Sequence, residues 1–237
     1  MAVRARVSRT SVIIGASGGI GAAFVRQAET RGDTVIAFAR SLSGEGHIDL
    51  DDEASIAAAA ARLSGRGLAP DRVIVATGLL HTDGRGPEKS LKDLNAAWMA
   101  RNFAVNTIGP ALVAKHFVPL MPRKAPALFA AIGARVGSIS DNRLGGWYGY
   151  RAAKAALHMT IRNIAIELGR RNDQAIAVAL HPGTVDTALS KPFQANVADG
   201  KLFDADRSAA MMLDVLDRLS PADSGGIFAF DGSAIQP

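Results

Sequence analysis

Four glycines fall inside the heptapeptide Gly15-Ala16-Ser17-Gly18-Gly19-Ile20-Gly21, directly after the first apolar run of the chain. That run, residues 10–15, is short and rich in β-branched residues, which favours a buried strand over a helix. Beyond the glycines, Ile20, Ala23, Phe24 and Ala28 recur at helical spacing until Gly32-Asp33 stops the pattern. A strand that turns into a helix through residues without Cβ atoms leaves backbone N–H groups free to approach an anion. The helix N-terminus adds a favourable dipole. A turn of this kind after the first strand suits a pyrophosphate. The alternatives are a tight turn with no ligand and the nucleophile elbow that Gly15-x-Ser17-x-Gly19 also spells, although an elbow needs several strands before it and this turn follows the first.

The rest of the chain keeps the same rhythm. Strands are predicted at 34–39, 72–76, 127–132, 175–181 and 226–230, with a short strand or extended segment at 47–50, and helices at 51–64 (capped by Asp51), 91–120, 149–171 and 204–219. The 91–120 helix is expected to break near Arg101 or Asn102, with a kink at Pro110. The strands are nearly continuous in apolar residues, as expected when both faces are covered. Strict strand–helix alternation predicts an α/β fold, a doubly wound parallel sheet. No repeat, linker or low-complexity tract divides residues 1–237, which read as one domain. The stretch of about 20 residues after Pro182 is long for a compact domain and suggests a functional lid.

Composition narrows the function. Apolar residues make up 48%, enough for a full core, and there is no cysteine for a disulfide or a thiolate metal site. The net charge of +5 raises the possibility of nucleic acid. However, Arg4, Arg6, Arg9, Arg62, Arg66, Arg170 and Arg171 are scattered, and aromatics are only 5%. We expect solvated surface and no nucleic-acid partner. No apolar run approaches the ~20 residues of a membrane span, and no signal peptide is apparent, so a cytoplasmic, membrane-free protein is expected. His81, His116, His158 and His181 do not cluster as ligands, and no metal site is expected.

Two further features carry chemistry. Tyr150 and Lys154 are four residues apart and so share one face of the 149–171 helix. A cation beside a phenol stabilises the phenolate and brings a pKa near ~10 towards useful acid–base work. Tyr148 has no such lysine and is expected, with Trp147, to line the pocket. After the second strand, where an acid would select a ribose 2′-hydroxyl, the chain has Arg40-Ser41. A guanidinium and a hydroxyl suit a 2′-phosphate. NADP(H) is therefore the expected cofactor, with NAD(H) possible.

The glycine turn together with Tyr150-x-x-x-Lys154 resembles the short-chain dehydrogenase/reductase family over nearly the whole chain. Asp49-Leu50 resembles its adenine-contacting pair, and Ala76-Thr77-Gly78 stands where the family has an Asn-Ala-Gly turn. Asn106 resembles the helix asparagine of its water chain, and Pro182-Gly183-Thr184-Val185-Asp186-Thr187 its nicotinamide-cupping segment. Gly137–Asn142, Tyr150-Arg151 and Ser224–Gly232 resemble the C-factor-like branch. The resemblance implies a Rossmann fold and hydride transfer by a bound nicotinamide. Tyr150 would be the general acid or base and Lys154 its tuner. Gly15, Ser17, Gly18, Gly19, Ile20, Gly21, Arg40, Ser41, Asp49, Leu50, Ala76, Thr77, Gly78, Lys154, Pro182, Gly183, Val185 and Thr187 would bind the cofactor. The substrate would be a small carbonyl compound or alcohol, and helices 91–118 and 149–171 would build a homodimer or homotetramer.

One departure stands out. Where the family has an oxygen-orienting serine, this chain has Ile132-Gly133-Ala134-Arg135. Ser138, or failing it Ser140, is the nearest substitute. A second reading follows: a cofactor-binding regulatory or signalling protein with little catalysis. It expects a gain of rate on Gly133→Ser or Ala134→Ser.

Overall fold

The computed structural model describes residues 9–237. Arg4 and Arg6 of the scattered basic set lie outside the described residues. Strand β1 (Thr10–Ile14) leads through the glycine turn to helix α1 (Gly19–Thr30) and β2 (Thr34–Phe38). Next come α2 (Glu53–Gly65), β3 (Arg72–Val75), α3 (Ala96–Phe103) and α4 (Gly109–Phe117). Then follow β4 (Ala127–Ile132), α5 (Tyr148–Arg171), β5 (Ala175–His181), β6 (Thr184–Val185), β7 (Leu202–Phe203), α6 (Ala205–Leu216) and β8 (Ile227–Ala229).

The main sheet has six parallel strands in the order β2-β1-β3-β4-β5-β8. Alternate side chains of each strand feed opposite layers. On β4, Ala127, Phe129 and Ala131 join the core beneath α2, α4 and α5, whereas Leu128, Ala130 and Ile132 join the core beneath α1 and α6. This two-sided burial explains the continuous apolar runs. The chain reverses its winding between β1 and β3, so the crevice at their carboxyl ends is the natural ligand site.

Three expectations resolve in detail. Residues 47–50 take the extended-segment alternative rather than a strand; His47 makes a single bridge to Ala39. Helix α2 is capped by Asp52, whose side chain accepts from the Ala54 N–H at 2.9 Å, which leaves Asp51 free for other partners. The long 91–120 helix is interrupted after residue 103 by a π-helical turn at 104–108, and Pro110 is the second residue of α4, directly after this irregular turn.

Several of the scattered arginines have partners of their own. Arg9 and Arg72 both bond Asp217, and the buried Arg72 also faces Asp33, at 3.4 Å. Arg62 donates to the His47 carbonyl and Arg66 pairs with Glu45. Among the described residues this charge lies across several elements and forms no stripe.

Candidate active site

The glycine turn fits its place by close approach. Gly15 has φ +86°, and a Cβ there would stand 2.9 Å from Thr77 Cγ2. A Cβ on Gly21 would stand 2.0 Å from the Gly15 carbonyl oxygen, so only glycine lets α1 start so near β1. A Cβ on Gly19 would meet Thr187 Cγ2 at 2.6 Å, which seats the segment after β6 directly over the turn.

Two cavities meet at this turn. The first, about 370 Å³, is lined by Gly15, Ser17, Gly18, Arg40, Asp49, Leu50 and Ala76–Gly78. The second, about 340 Å³, is lined by Gly18, Gly19, Ile20, Ala76–Gly78, Tyr150, Lys154 and Thr187. Gly18, Ala76, Thr77 and Gly78 border both, so the two form one cleft across the carboxyl ends of β1 and β3. Thr77 Oγ1 is buried there without a protein partner. The two joined cavities, the glycine cradle and the unpaired hydroxyl together fit a dinucleotide.

At the first cavity's rim, Asp51 accepts from Arg101 Nη1 at 2.6 Å and lies 3.9 Å from Arg40 Nη1. The Arg101 guanidinium holds the Asp51 carboxyl below its ordinary value. Arg101 lines the same cavity and was missed in the sequence. Its only sequence signal is a basic residue on an amphipathic helix, and the helix had to be docked before that meant anything. Ser41 is exposed and lines neither cavity.

Tyr150 and Lys154 point into the second cavity from α5, 7% and 1% exposed. Lys154 Nζ donates to the Ile132 carbonyl at 2.6 Å and lies 5.7 Å from the Tyr150 ring centroid. Burial drives both groups towards neutrality: the Tyr150 phenol is pushed up, and the Lys154 ammonium is brought down to about 7. The i, i+4 spacing suggested a lowered phenolic pKa; in this packing desolvation raises it.

Asn106 is fully buried in the π-helical turn. Its side chain accepts from Leu79 N at 3.0 Å and donates to Leu79 O at 2.8 Å, fastening the loop after β3. Ala134 packs against Tyr150 and Leu80, so it is the methyl group at 134 that faces the tyrosine. Ser138 does not reach this site: its hydroxyl accepts from Asp141 N at 3.1 Å, and Ser140 donates to the Pro237 carbonyl at 2.7 Å. Both serve the turn and the C-terminus, and neither lines the cleft. Tyr148, expected in the pocket, lines neither cavity.

The segment after β5 closes over the cleft. The Pro182 carbonyl accepts from Ser208 Oγ at 2.8 Å, and Gly183, at φ +76°, lies against the Phe203 and Phe230 rings. Val185 is buried, and its carbonyl accepts from Ser190 Oγ at 2.5 Å. Further on, Phe193 packs between Trp147, at 5.1 Å between ring centroids, and His81, at 5.8 Å. His81 Nε2 lies 3.1 Å from the Ala188 carbonyl, so that nitrogen carries the proton. Among the described residues no group of acids and histidines could hold a metal ion.

Residues 15–230 match the family profile described as Enoyl-(Acyl carrier protein) reductase. The chain is 31% identical over 236 residues to the 1-hydroxy-2-glutathionyl-2-methyl-3-butene dehydrogenase of a Rhodococcus species, covering 96% of this chain and 99% of that one. It is 36% identical over 146 residues to the C-signal of Myxococcus xanthus, covering 62% and 82%. Among solved structures, an NADPH-bound carbonyl reductase from chicken fatty liver superposes with a TM-score of 0.82 at 25% identity, covering 97% of this chain and 94% of that one. A short-chain dehydrogenase/reductase from Burkholderia multivorans with bound NADP gives 0.80 at 25% identity, covering 97% and 100%.

Proposed function

This chain belongs to the short-chain dehydrogenase/reductase family, and on that premise we propose that it reduces an aldehyde or ketone with NADPH, Tyr150 giving the proton. The observation that carries this reading is the single cleft that joins the glycine cradle to Tyr150 and Lys154. A bound nicotinamide would supply the hydride. The backbone of Gly15 and of residues 17–20 would hold the pyrophosphate, and Arg40 the 2′-phosphate, with Ser41 beside it. Asp49, Leu50 and Arg101 would bound the adenine, and Ala76–Gly78, Pro182–Gly183, Val185 and Thr187 would frame the nicotinamide half.

In the reductive direction Tyr150 Oη donates its proton to the carbonyl oxygen. The raised phenolic pKa keeps that proton in place at neutral pH, the form a general acid needs. Lys154 Nζ, anchored on Ile132 O, is the group beside it that can be recharged from the cleft. Asn106 acts by fixing Leu79, and so the floor of the cleft. NADPH oxidation with a panel of carbonyl compounds tests the reading. The parent is expected to turn over, and Tyr150→Phe to lose at least ~10²-fold in kcat, the scale of general acid catalysis. Equal turnover in both would remove Tyr150 from its role.

Ala134 favours a second reading. It presents a methyl group to Tyr150, and the absence of one donor to a developing oxyanion costs on the order of 10²–10³ in rate. Under that reading the protein binds NADPH and signals by doing so, with little turnover; a binding titration beside the kinetic panel separates the two. We also propose a homodimer or homotetramer through α4 and α5. Ile108, Met159 and Ile166 are exposed there or beside them, and a groove between the helices is lined by Ala111, Val118 and Ile164. Light scattering decides it. No helix among the described residues is long and apolar enough to cross a membrane.

A further inference from the structure

The helix that presents Tyr150 begins in an unusual way. Its N-cap is Trp147, the one non-glycine residue with positive φ among the described residues (φ 49°, ψ 41°), preceded by Gly145 and Gly146, each at φ 64°. A bulky side chain in the left-handed region is strained and persists only where its surroundings hold it. Trp147 has no side-chain oxygen, so the cap makes none of the usual hydrogen bonds to the first turn.

Glu88 supplies what the cap lacks. It comes from the loop after β3 and is 3% exposed. Its backbone carbonyl accepts from Trp147 N at 2.5 Å, and its carboxylate Oε2 accepts from Gly149 N at 3.1 Å. The second oxygen, Oε1, is buried without a partner, 2.9 Å from the place a Cβ on Gly149 would take. The residue thus grips both sides of Tyr148, two positions before Tyr150. A carboxylate is also the group that a helix N-terminus favours. The same grip aims the Trp147 ring, which meets Tyr150 at 6.2 Å and the lid residue Phe193 at 5.1 Å.

We propose that Glu88 is a positioning residue that locks the 145–149 turn, and through it aims Tyr150 and seats Phe193 of the lid on Trp147. Its kinetic part rests on the carbonyl-reductase reading above. Glu88 lines neither half of the cofactor cleft, which makes the proposal separable from a general effect on the fold.

The test compares Glu88→Ala, Glu88→Gln and Gly149→Ala with the parent. Glu88→Ala is expected to keep NADPH affinity within about twofold while kcat/KM for a carbonyl substrate falls at least tenfold. Its Gly149 amide, and Trp147 beside it, should exchange hydrogen faster. Glu88→Gln retains an acceptor oxygen and should recover most of the loss. Gly149→Ala should lower kcat/KM in the parent, where the added methyl meets Oε1, and do little in the Glu88→Ala background; if Glu88→Ala fails to fold, Gly149→Ala alone carries the test, and an unchanged kcat/KM in it overturns the proposal. Unchanged kcat/KM in Glu88→Ala overturns the proposal, and so does a parallel loss of NADPH affinity. If the parent reduces no carbonyl compound, the functional reading fails. Amide exchange still decides the clamp: parent-like protection of Gly149 in Glu88→Ala would sink it.

Discussion

At residue scale the decisive neighbours are Gly133 and Ala134. They are adjacent, and both stand where a hydroxyl was sought, but they face different surroundings. Ala134 packs on Tyr150, whereas a Cβ on Gly133 would stand 2.8 Å from His158 Nε2 and 3.2 Å from Ala179 Cβ. The two substitutions therefore part company. Ala134→Ser adds one oxygen beside Tyr150 and is expected to raise the rate of NADPH-dependent carbonyl reduction by about tenfold or more. Gly133→Ser has no room and is expected to cost ~1–3 kcal/mol of stability with no gain in rate. Parallel kinetics and thermal melts of the two variants check this. From the sequence both positions looked equivalent, because the direction of each side chain depends on how β4 ends against α5.

At the scale of elements, the segment between β5 and α6 is built to rest on three separate supports. Thr187 lies over Gly19, the Ala188 carbonyl receives His81, and Phe193 packs against Trp147. Between them, β6 and β7 pair, and a 3-10 helix spans Lys191–Asn196. The sequence showed a long loop and suggested a lid; the supports come from α1, from the loop after β3 and from the head of α5, which no local pattern announces. Phe193→Ala removes one support and leaves the cofactor cradle intact. The expected result is a severalfold rise in KM for the carbonyl substrate with NADPH affinity nearly unchanged. Steady-state kinetics and a fluorescence titration measure the two separately, and a matching loss in both would assign Phe193 to the cofactor site instead.

At the scale of the whole molecule, burial of titratable groups on the α5 side sets a pH dependence. His158 and His181 are brought down to about 4, first by desolvation and then by charged neighbours, of which only Asp231 pulls the other way. Around His158 these are Lys154 and His181; around His181 they are Arg135 and Asp231. Between pH 4 and the ordinary value of 6.5 the unfolded chain binds more protons than the native one, so stability rises with pH there. Lys154 adds a second rise between about 7 and 10.5. Tyr150 reverses the trend above 10.0, where the unfolded phenol ionises and the buried one does not. Denaturant unfolding of the cofactor-free protein across pH should show these steps. Lys154→Met should flatten the rise above pH 7, by up to ~1.4 kcal/mol per pH unit for one proton. A parent curve that falls from pH 7 to 10 would contradict the packing of Lys154.

What the sequence determined by itself was whatever local order can encode. The period of apolar residues marks strand and helix, glycines mark the turn that a Cβ would block, and i, i+4 spacing puts Tyr150 and Lys154 on one face. These are constraints within a few residues, and they sufficed for the parallel sheet and the position of its cleft. The tertiary structure alone decided the rest. Glu88 meets Gly149 across 61 residues, and Arg101 meets Asp51 across 50. Ser138 turns out to serve its own turn, and desolvation moves the Tyr150 pKa up where the spacing of Lys154 suggested down. Each of these depends on which elements come to lie side by side and on how much water they exclude, and both are properties of the assembled layers.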